Sequence, residues 1–202
     1  MNNKEIIKKV ETHVRELYEA HLDDIFVYHD LEHVEKVVEA ADQISNHYKL
    51  NKLETQAVHI AAWFHDVGYL LYHSNGHEVK SAELAVEFLK QENANQELIK
   101  NVKEAILATK VFSKPTTLTA KIVADADLFN LGTSDFRKTN KKMWVEMKRY
   151  YGKKIPAHVW YKSALDLLEK HQYHTEYCRN LLQEGKQENI DLMKKWLEEN
   201  GS

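Results

Sequence analysis

Apolar residues recur at three- and four-residue spacing through most of the chain, with few turn formers between them, and this settles the fold class. Two prolines and six glycines among 202 residues leave too little punctuation for hairpins or sandwich strands. Val34, Val37, Val38, Ala41 and Ile44 make one stripe behind Asp30, a suitable N-cap. Asn51 with Glu54 three later forms a capping box ahead of Val58, Ile60, Ala61, Ala62, Trp63 and Phe64. That run is apolar almost all round, so it predicts a central buried helix ending near Gly68. Ser74-Asn75-Gly76 marks a loop. Helical patterns follow over residues 78–91, 95–109, 118–130, 134–151, 157–171, 174–184 and 187–199. Pro115 and Pro156 fall at breaks or first turns, where proline is tolerated. With no repeat, low-complexity tract or linker, the expectation is a single all-α domain over residues 1–202.

Composition then removes several function classes. A formal charge of −3 supplies no general field for nucleic acid or anionic lipid, so neither is an expected partner. No stretch approaches a membrane span, and Met1–Val10 is polar and charged, without the apolar segment of a secretory signal. The lone cysteine, Cys178, excludes an intrachain disulfide framework and suits a reducing, cytoplasmic setting. It reads as buried. Twelve histidines beside one cysteine mean that any metal here must sit on nitrogen and oxygen.

Three segments carry the chemistry. Tyr28-His29-Asp30-Leu31-Glu32-His33-Val34 leads into the first core stripe, and Trp63-Phe64-His65-Asp66-Val67-Gly68 closes the buried helix. Adjacent helical residues project about 100° apart, so a His-Asp pair reaches one ion only where the backbone turns, as it can beside a glycine. The dipeptide alone means little, since it occurs twice in a histidine-rich chain. Its position, ending a helix that is otherwise pure core, is informative. The third segment, Ala124-Asp125-Ala126-Asp127-Leu128-Phe129, sets two carboxylates inside an apolar stretch. An unpaired buried carboxylate costs several kcal/mol, so the charge calls for a cation or dense hydrogen bonding. A helix cap or a lysine pair accounts for Asp125 as well as a metal does. A metal is the better explanation for Asp127.

His33, His65-Asp66 and Asp127, in that order and among helices, resemble the H…HD…D signature of the HD-domain metal-dependent phosphohydrolases. His33-Val34-Glu35-Lys36-Val37 matches the first motif of that superfamily, and Ala126-Asp127-Leu128 the late one. The likeness extends to a predicted-phosphohydrolase branch through Tyr28-His29, His77-Glu78, Ser81-Ala82-Glu83, Ala108-Thr109-Lys110, Leu131-Gly132 and the Tyr173–Asn180 stretch, or residues 25–182 in all. It implies a compact HD-domain helical bundle with additional C-terminal helices, the last over about residues 187–199. It also implies His33, His65, Asp66 and Asp127 as ligands of a divalent ion. Two imidazoles and two carboxylates suit Mn, Fe, Co, Ni or Zn better than calcium or cuprous copper. Such an ion would activate a water and polarise a phosphoryl oxygen for in-line displacement.

The resemblance implies a hydrolase of small phosphate esters, with a nucleotide as the expected substrate. The alternative from another class is a catalytically weak metal- or nucleotide-binding regulatory module. Asp66, Lys110 and His77 are the candidate catalytic residues, and His29, Lys110 and Glu78 the candidate substrate contacts. Each of the lesser four has an ordinary reading beside this one: a packed His29, a loop His77, a first-turn acid Glu78 and a helix-end Lys110. His13, His21, His47 and His59 read as surface or core histidines. The acidic pair that follows His-Asp in alarmone hydrolases is missing here, as are the HD-GYP extension and the extra domains of large deoxynucleotide triphosphohydrolases. Trp144, Met147, Tyr150 and Tyr151 are expected in the core. Lys138, Lys141, Lys142, Lys148, Arg149, Lys153 and Lys154 are expected to form a solvated helix face. An anionic polymer such as RNA is a third, less favoured reading of that basic run. Leu192, Trp196 and Leu197 predict an amphipathic tail helix that packs on the domain or on a second copy, making a homodimer.

Overall fold

A computed structural model describes residues 3–73 and 76–200, and every regular element among them is helical. In chain order these are α1 (Asn3–His21), α2 (Leu31–His47), α3 (Lys52–Phe64), α4 (Val67–Tyr72), α5 (His77–Gln91), α6 (Gln96–Leu107) and α7 (Leu118–Asp127). A 3-10 turn (Phe129–Gly132) follows, then α8 (Phe136–Tyr150), α9 (Ala157–Lys170) and α10 (Glu176–Asn200). The fold is all-α, as the spacing of apolar residues predicts. None of these helices is long and apolar enough to cross a membrane. Ser74 and Asn75 of the expected loop lie outside the described residues, and Gly76 sits in a turn with φ +81°.

The chain divides into two compact units, one taking in the chain up to Leu22 and His29–Asp127, the other Asp23–Tyr28 and the chain from Leu128 on. The first unit is built around α3, which packs against α1, α2, α5, α6 and α7. Its capping box is present: the Asn51 side chain accepts from the backbone N–H of Glu54, and Glu54 accepts from that of Asn51. Val58, Ile60, Ala61 and Phe64 are wholly buried, each large apolar side chain contributing roughly 1.5–3 kcal/mol. The expected single helix ending near Gly68 is instead two helices broken at His65-Asp66. Gly68 lies inside α4, where a Cβ would collide with the carbonyl of His77 and the backbone of Ser81. Its role is therefore close packing of α4 on α5. Helix α1 lies outside the sequence-predicted set, although Ile6, Val10, Val14 and Tyr18 recur every four residues and are all buried.

The second unit closes over Leu131, Phe136, Leu168, Ile190 and Met193. The helix expected over 118–130 stops at Asp127 and tightens into the 3-10 turn. The helices expected over 174–184 and 187–199 are one element, α10. Gly185 does not interrupt it; a Cβ there would strike the carbonyl of Gly132, so this glycine serves a backbone-to-backbone approach. Buried Glu146 accepts from the backbone N–H groups of Val27 (2.9 Å) and Tyr28 (2.7 Å), anchoring the 23–28 segment to α8. Tyr151 is 54 % exposed and Tyr150 is 36 % exposed, so neither belongs to the core as expected: they end α8, where no later element covers them. Trp196 stacks on Tyr161 at 3.9 Å, while Leu192 points to solvent. Cys178 is buried.

Candidate metal centre

Each residue of the H…HD…D set is placed by a helix end. Asp30 caps α2, its Oδ1 accepting from the backbone N–H of His33 at 2.9 Å, so His33 stands in the first turn on the side that Val34 and Val37 bury. His65 keeps helical geometry (φ −52°, ψ −37°) as the C-cap of α3, and Asp66 turns the chain (φ −110°, ψ 4°). The carbonyl of Asp66 then accepts the first N–H bonds of α4, from Tyr69 and Leu70. This break brings two neighbouring side chains to one point, which a continuous helix would hold about 100° apart. Asp127 is the last residue of α7, carried on buried Ala120, Val123, Ala124 and Ala126.

The four side chains offer donor atoms all within 4.8 Å of one another, the one such group among the described residues. His65 Nε2 lies 3.1 Å from Asp66 Oδ2, 3.3 Å from His33 Nε2 and 3.6 Å from Asp127 Oδ1. His33 Nε2 lies 3.4 Å from Asp66 Oδ2 and 3.5 Å from Asp127 Oδ1. Ligands about 2.0–2.2 Å from one ion stand roughly 3.0–3.5 Å apart, so the spacing fits a shared divalent cation. The tautomer of His65 fits too. Its Nδ1 is 2.8 Å from the carbonyl of Ala62, which can only accept. The proton therefore sits on Nδ1 and the Nε2 lone pair faces the cluster, the arrangement that a neutral imidazole ligand requires. Two carboxylates favour positive charge here. Burial pushes the His33 imidazole down, but Asp127 and Asp66 outweigh it and raise it to about 10. Burial likewise opposes ionisation of Asp66, yet His65, His33 and His77 hold its carboxyl well below the ordinary range.

Two further histidines gather around Asp66. His77, at the start of α5, places Nε2 3.3 Å from Asp66 Oδ1, the oxygen not facing His33 and His65. Burial lowers the pKa of His77, but the hydrogen bond to Asp66 prevails and raises it, so Nε2–H donates to that oxygen. His29 is 8 % exposed with Nε2 4.0 Å from Asp66 Oδ2. Tyr69 binds the pair together, its ring 4.2 Å from that of His29 and 5.2 Å from that of His77. Glu78 follows His77, and its Oε2 is buried without a hydrogen-bond partner among the described residues. Asp125 is fully buried in α7 but stands outside the four-residue group. Lys110 is exposed beyond the end of α6 and makes no ion pair or hydrogen bond with the cluster.

Tyr69 and the Ala62 carbonyl are the site residues that the sequence reading leaves out. Tyr69 had a signal, standing three and four residues after the His-Asp pair; a backbone carbonyl had none. Ser81 Oγ, accepting from Gly68 N–H at 2.9 Å, ties α5 to α4 and fixes His77 against Asp66.

The HD-domain family model matches residues 30–131, just over half of the chain. A search of curated proteins found no significant match. Among solved structures, a predicted HD superfamily hydrolase from an uncultured Thermotogales bacterium superposes with a TM-score of 0.61 at 22 % identity. The match covers 98 % of this chain and 99 % of that one, and at this identity it is evidence for the fold. All four clustered side chains fall inside the matched segment. The chain belongs to the HD-domain family.

Proposed function

We propose that this protein is a metal-dependent phosphohydrolase acting on a small phosphate ester, a nucleotide. The observation that carries the reading is the convergence of His33, His65, Asp66 and Asp127, their donor atoms within 4.8 Å of one another. Bound by these four, a divalent ion such as Mn, Fe, Co, Ni or Zn supplies Lewis-acid charge for phosphoryl oxygens and an activated water. The Thermotogales protein, a predicted HD superfamily hydrolase, supports this class of reaction. The nucleotide substrate rests on the resemblance of the motifs.

The chain's own residues set the rest. Hydrolysis forms one P–O bond from water and breaks the ester P–O bond; one proton leaves the water and one reaches the departing oxygen. His77, protonated on Nε2 against Asp66 Oδ1, acts as a positioning residue that fixes the carboxylate and holds a proton beside the centre. His29, in ring contact with Tyr69, would donate to a phosphoryl oxygen. Glu78 Oε2, buried and without a partner among the described residues, is a candidate acceptor for a substrate hydroxyl. Lys110 is free to meet a phosphate from solvent as a mobile point charge.

The test joins metal analysis to a panel of nucleoside mono-, di- and triphosphates, with Mn²⁺ or Co²⁺ added. Phosphate release that disappears in the His65→Ala/Asp66→Ala variant is the expected result. One bound ion per chain with no turnover on any substrate would instead favour the regulatory-module reading.

A further inference from the structure

The second unit carries a groove of about 790 Å³ bounded by α8, α9 and α10. Phe136, Met193, Trp144, Tyr161 and Trp196 give it an aromatic and apolar lining. Trp144 and Trp196 are only half-buried, so each keeps part of its ring accessible. Arg137, Lys138, Lys141 and Lys195 line it as well, against a single carboxylate, Glu199. None of those four cations is paired with a carboxylate among the described residues, whereas Lys9, Arg15, Lys36, Lys80, Lys170 and Lys194 all are. In a chain of net charge −3, this is a local excess of positive charge placed beside ring faces.

The arrangement continues past the groove. Arg137, Lys141, Trp144, Lys148 and Tyr151 succeed one another at spacings of four, three, four and three, which puts them along one face of α8 and its C-cap. Lys148 Nζ lies 4.1 Å from the centre of the Trp144 ring, and Lys153 Nζ lies 5.3 Å from that of the exposed Tyr151. The stripe is about 21 Å long at 1.5 Å per residue, longer than one nucleotide. Alternating cations and aromatic rings along a line match the alternation of phosphate and base in an unpaired strand. Asn140 and Ser134, at the groove wall, add polar groups for base edges.

We propose that this face of α8 and α10 binds single-stranded nucleic acid. The strand lies along the basic stripe with its bases on Trp144, Trp196 and Tyr151. This surface uses none of the metal-centre residues, so it stands or falls independently of the hydrolase reading.

The experiment is fluorescence anisotropy on the full chain with a fluorescein-labelled 12-nucleotide oligouridine, in EDTA so that no metal-dependent cleavage intervenes. Saturable binding at 50 mM NaCl is expected. With three to four phosphate contacts it should weaken roughly 20- to 50-fold at 200 mM. Arg137→Glu/Lys141→Glu abolishes it, and Trp144→Ala weakens it by about 5- to 150-fold through lost stacking. Lys195→Glu, on α10, supplies a second charge reversal should the α8 variant misfold. Lys100→Glu/Lys103→Glu, on α6, leaves binding unchanged. No binding at 50 mM salt, or equal binding by the charge-reversed variants, overturns the proposal. Displacement by an equimolar amount of ATP overturns it too, in favour of a mononucleotide pocket.

Discussion

Asp66 divides its two oxygens between different partners: Oδ2 faces His65 and His33, and Oδ1 takes the N–H of His77. Truncating His65 and Asp66 together therefore removes two of four donors and the anchor of a third histidine. His65→Ala/Asp66→Ala should fall from about one divalent ion per chain to near none by plasma emission analysis; full occupancy would refute the ligand set. His77→Ala leaves all four donors and removes only the group orienting Asp66. Outer partners of this kind typically contribute 10- to 100-fold in metal affinity, which calorimetric titration with Mn²⁺ should recover. Unchanged affinity would deny His77 that role. The four proposed ligands are legible in the sequence through their resemblance to the H…HD…D signature, and His65, Asp66 and Asp127 also as polar side chains where apolar helices end. Ala62 is not legible, since a carbonyl's partner depends on a ring orientation that only the fold sets. Lys110 shows the converse: the motif around it is present, yet its side chain remains in solvent, away from any cluster partner.

Helices α4 and α5 illustrate what patterning at the element scale reads correctly and where it stops. A glycine after His-Asp suggests a helix terminator, but turn geometry is supplied by Asp66 and the glycine is needed for packing. Gly68→Ala places a methyl against His77 and Ser81. Overpacking of this kind costs about 1–3 kcal/mol, a fall of roughly 2–12 °C in thermal midpoint for a chain of this size. An unchanged midpoint in differential scanning calorimetry would mean that the α4–α5 contact gives way freely. Helix α10 likewise runs unbroken across the expected gap between residues 184 and 187, with Gly185 packed against Gly132 rather than ending a helix. Helix α1 shows the opposite failure, a four-residue apolar repeat hidden among charges. Its His13 stacks on Phe88 at 4.7 Å and leans on Phe64, and burial there lowers its pKa. The folded protein thus binds that proton less readily than the unfolded chain. Stability contributed at His13 is full above about pH 6.5 and declines as pH falls through the lower folded value. His13→Gln should flatten that part of the decline, read as the difference in urea midpoints between pH 7.5 and pH 4.5. Parallel curves for the two proteins would contradict it.

At the scale of the whole molecule, the four proposed metal donors all belong to the unit built on α3, and the HD-domain match ends four residues after Asp127. The basic and aromatic face belongs to the other unit. No linker marks this division in the sequence, because Asp23–Tyr28 joins the later helices through Glu146 and Arg149 across more than a hundred residues. Composition cannot report such a pairing, which depends on one buried carboxylate meeting two backbone N–H groups. The assignment of donors has a thermodynamic consequence. An ion that binds only the folded chain stabilises it by about 2.7 kcal/mol at a hundredfold excess over its dissociation constant. At 2–4 °C per kcal/mol this is roughly a 5–10 °C rise in thermal midpoint. Since the four proposed ligands come from α2, the α3–α4 junction and α7, unfolding of that unit would release a bound ion. Mn²⁺ should therefore raise the calorimetric midpoint of the wild type, with EDTA reversing the shift, and leave His65→Ala/Asp66→Ala unmoved. Charge reversal at Arg137 and Lys141, in the second unit, should leave the Mn²⁺-induced shift intact. A shift lost in that variant would tie metal binding to the second unit and contradict the placement of all four donors in the first.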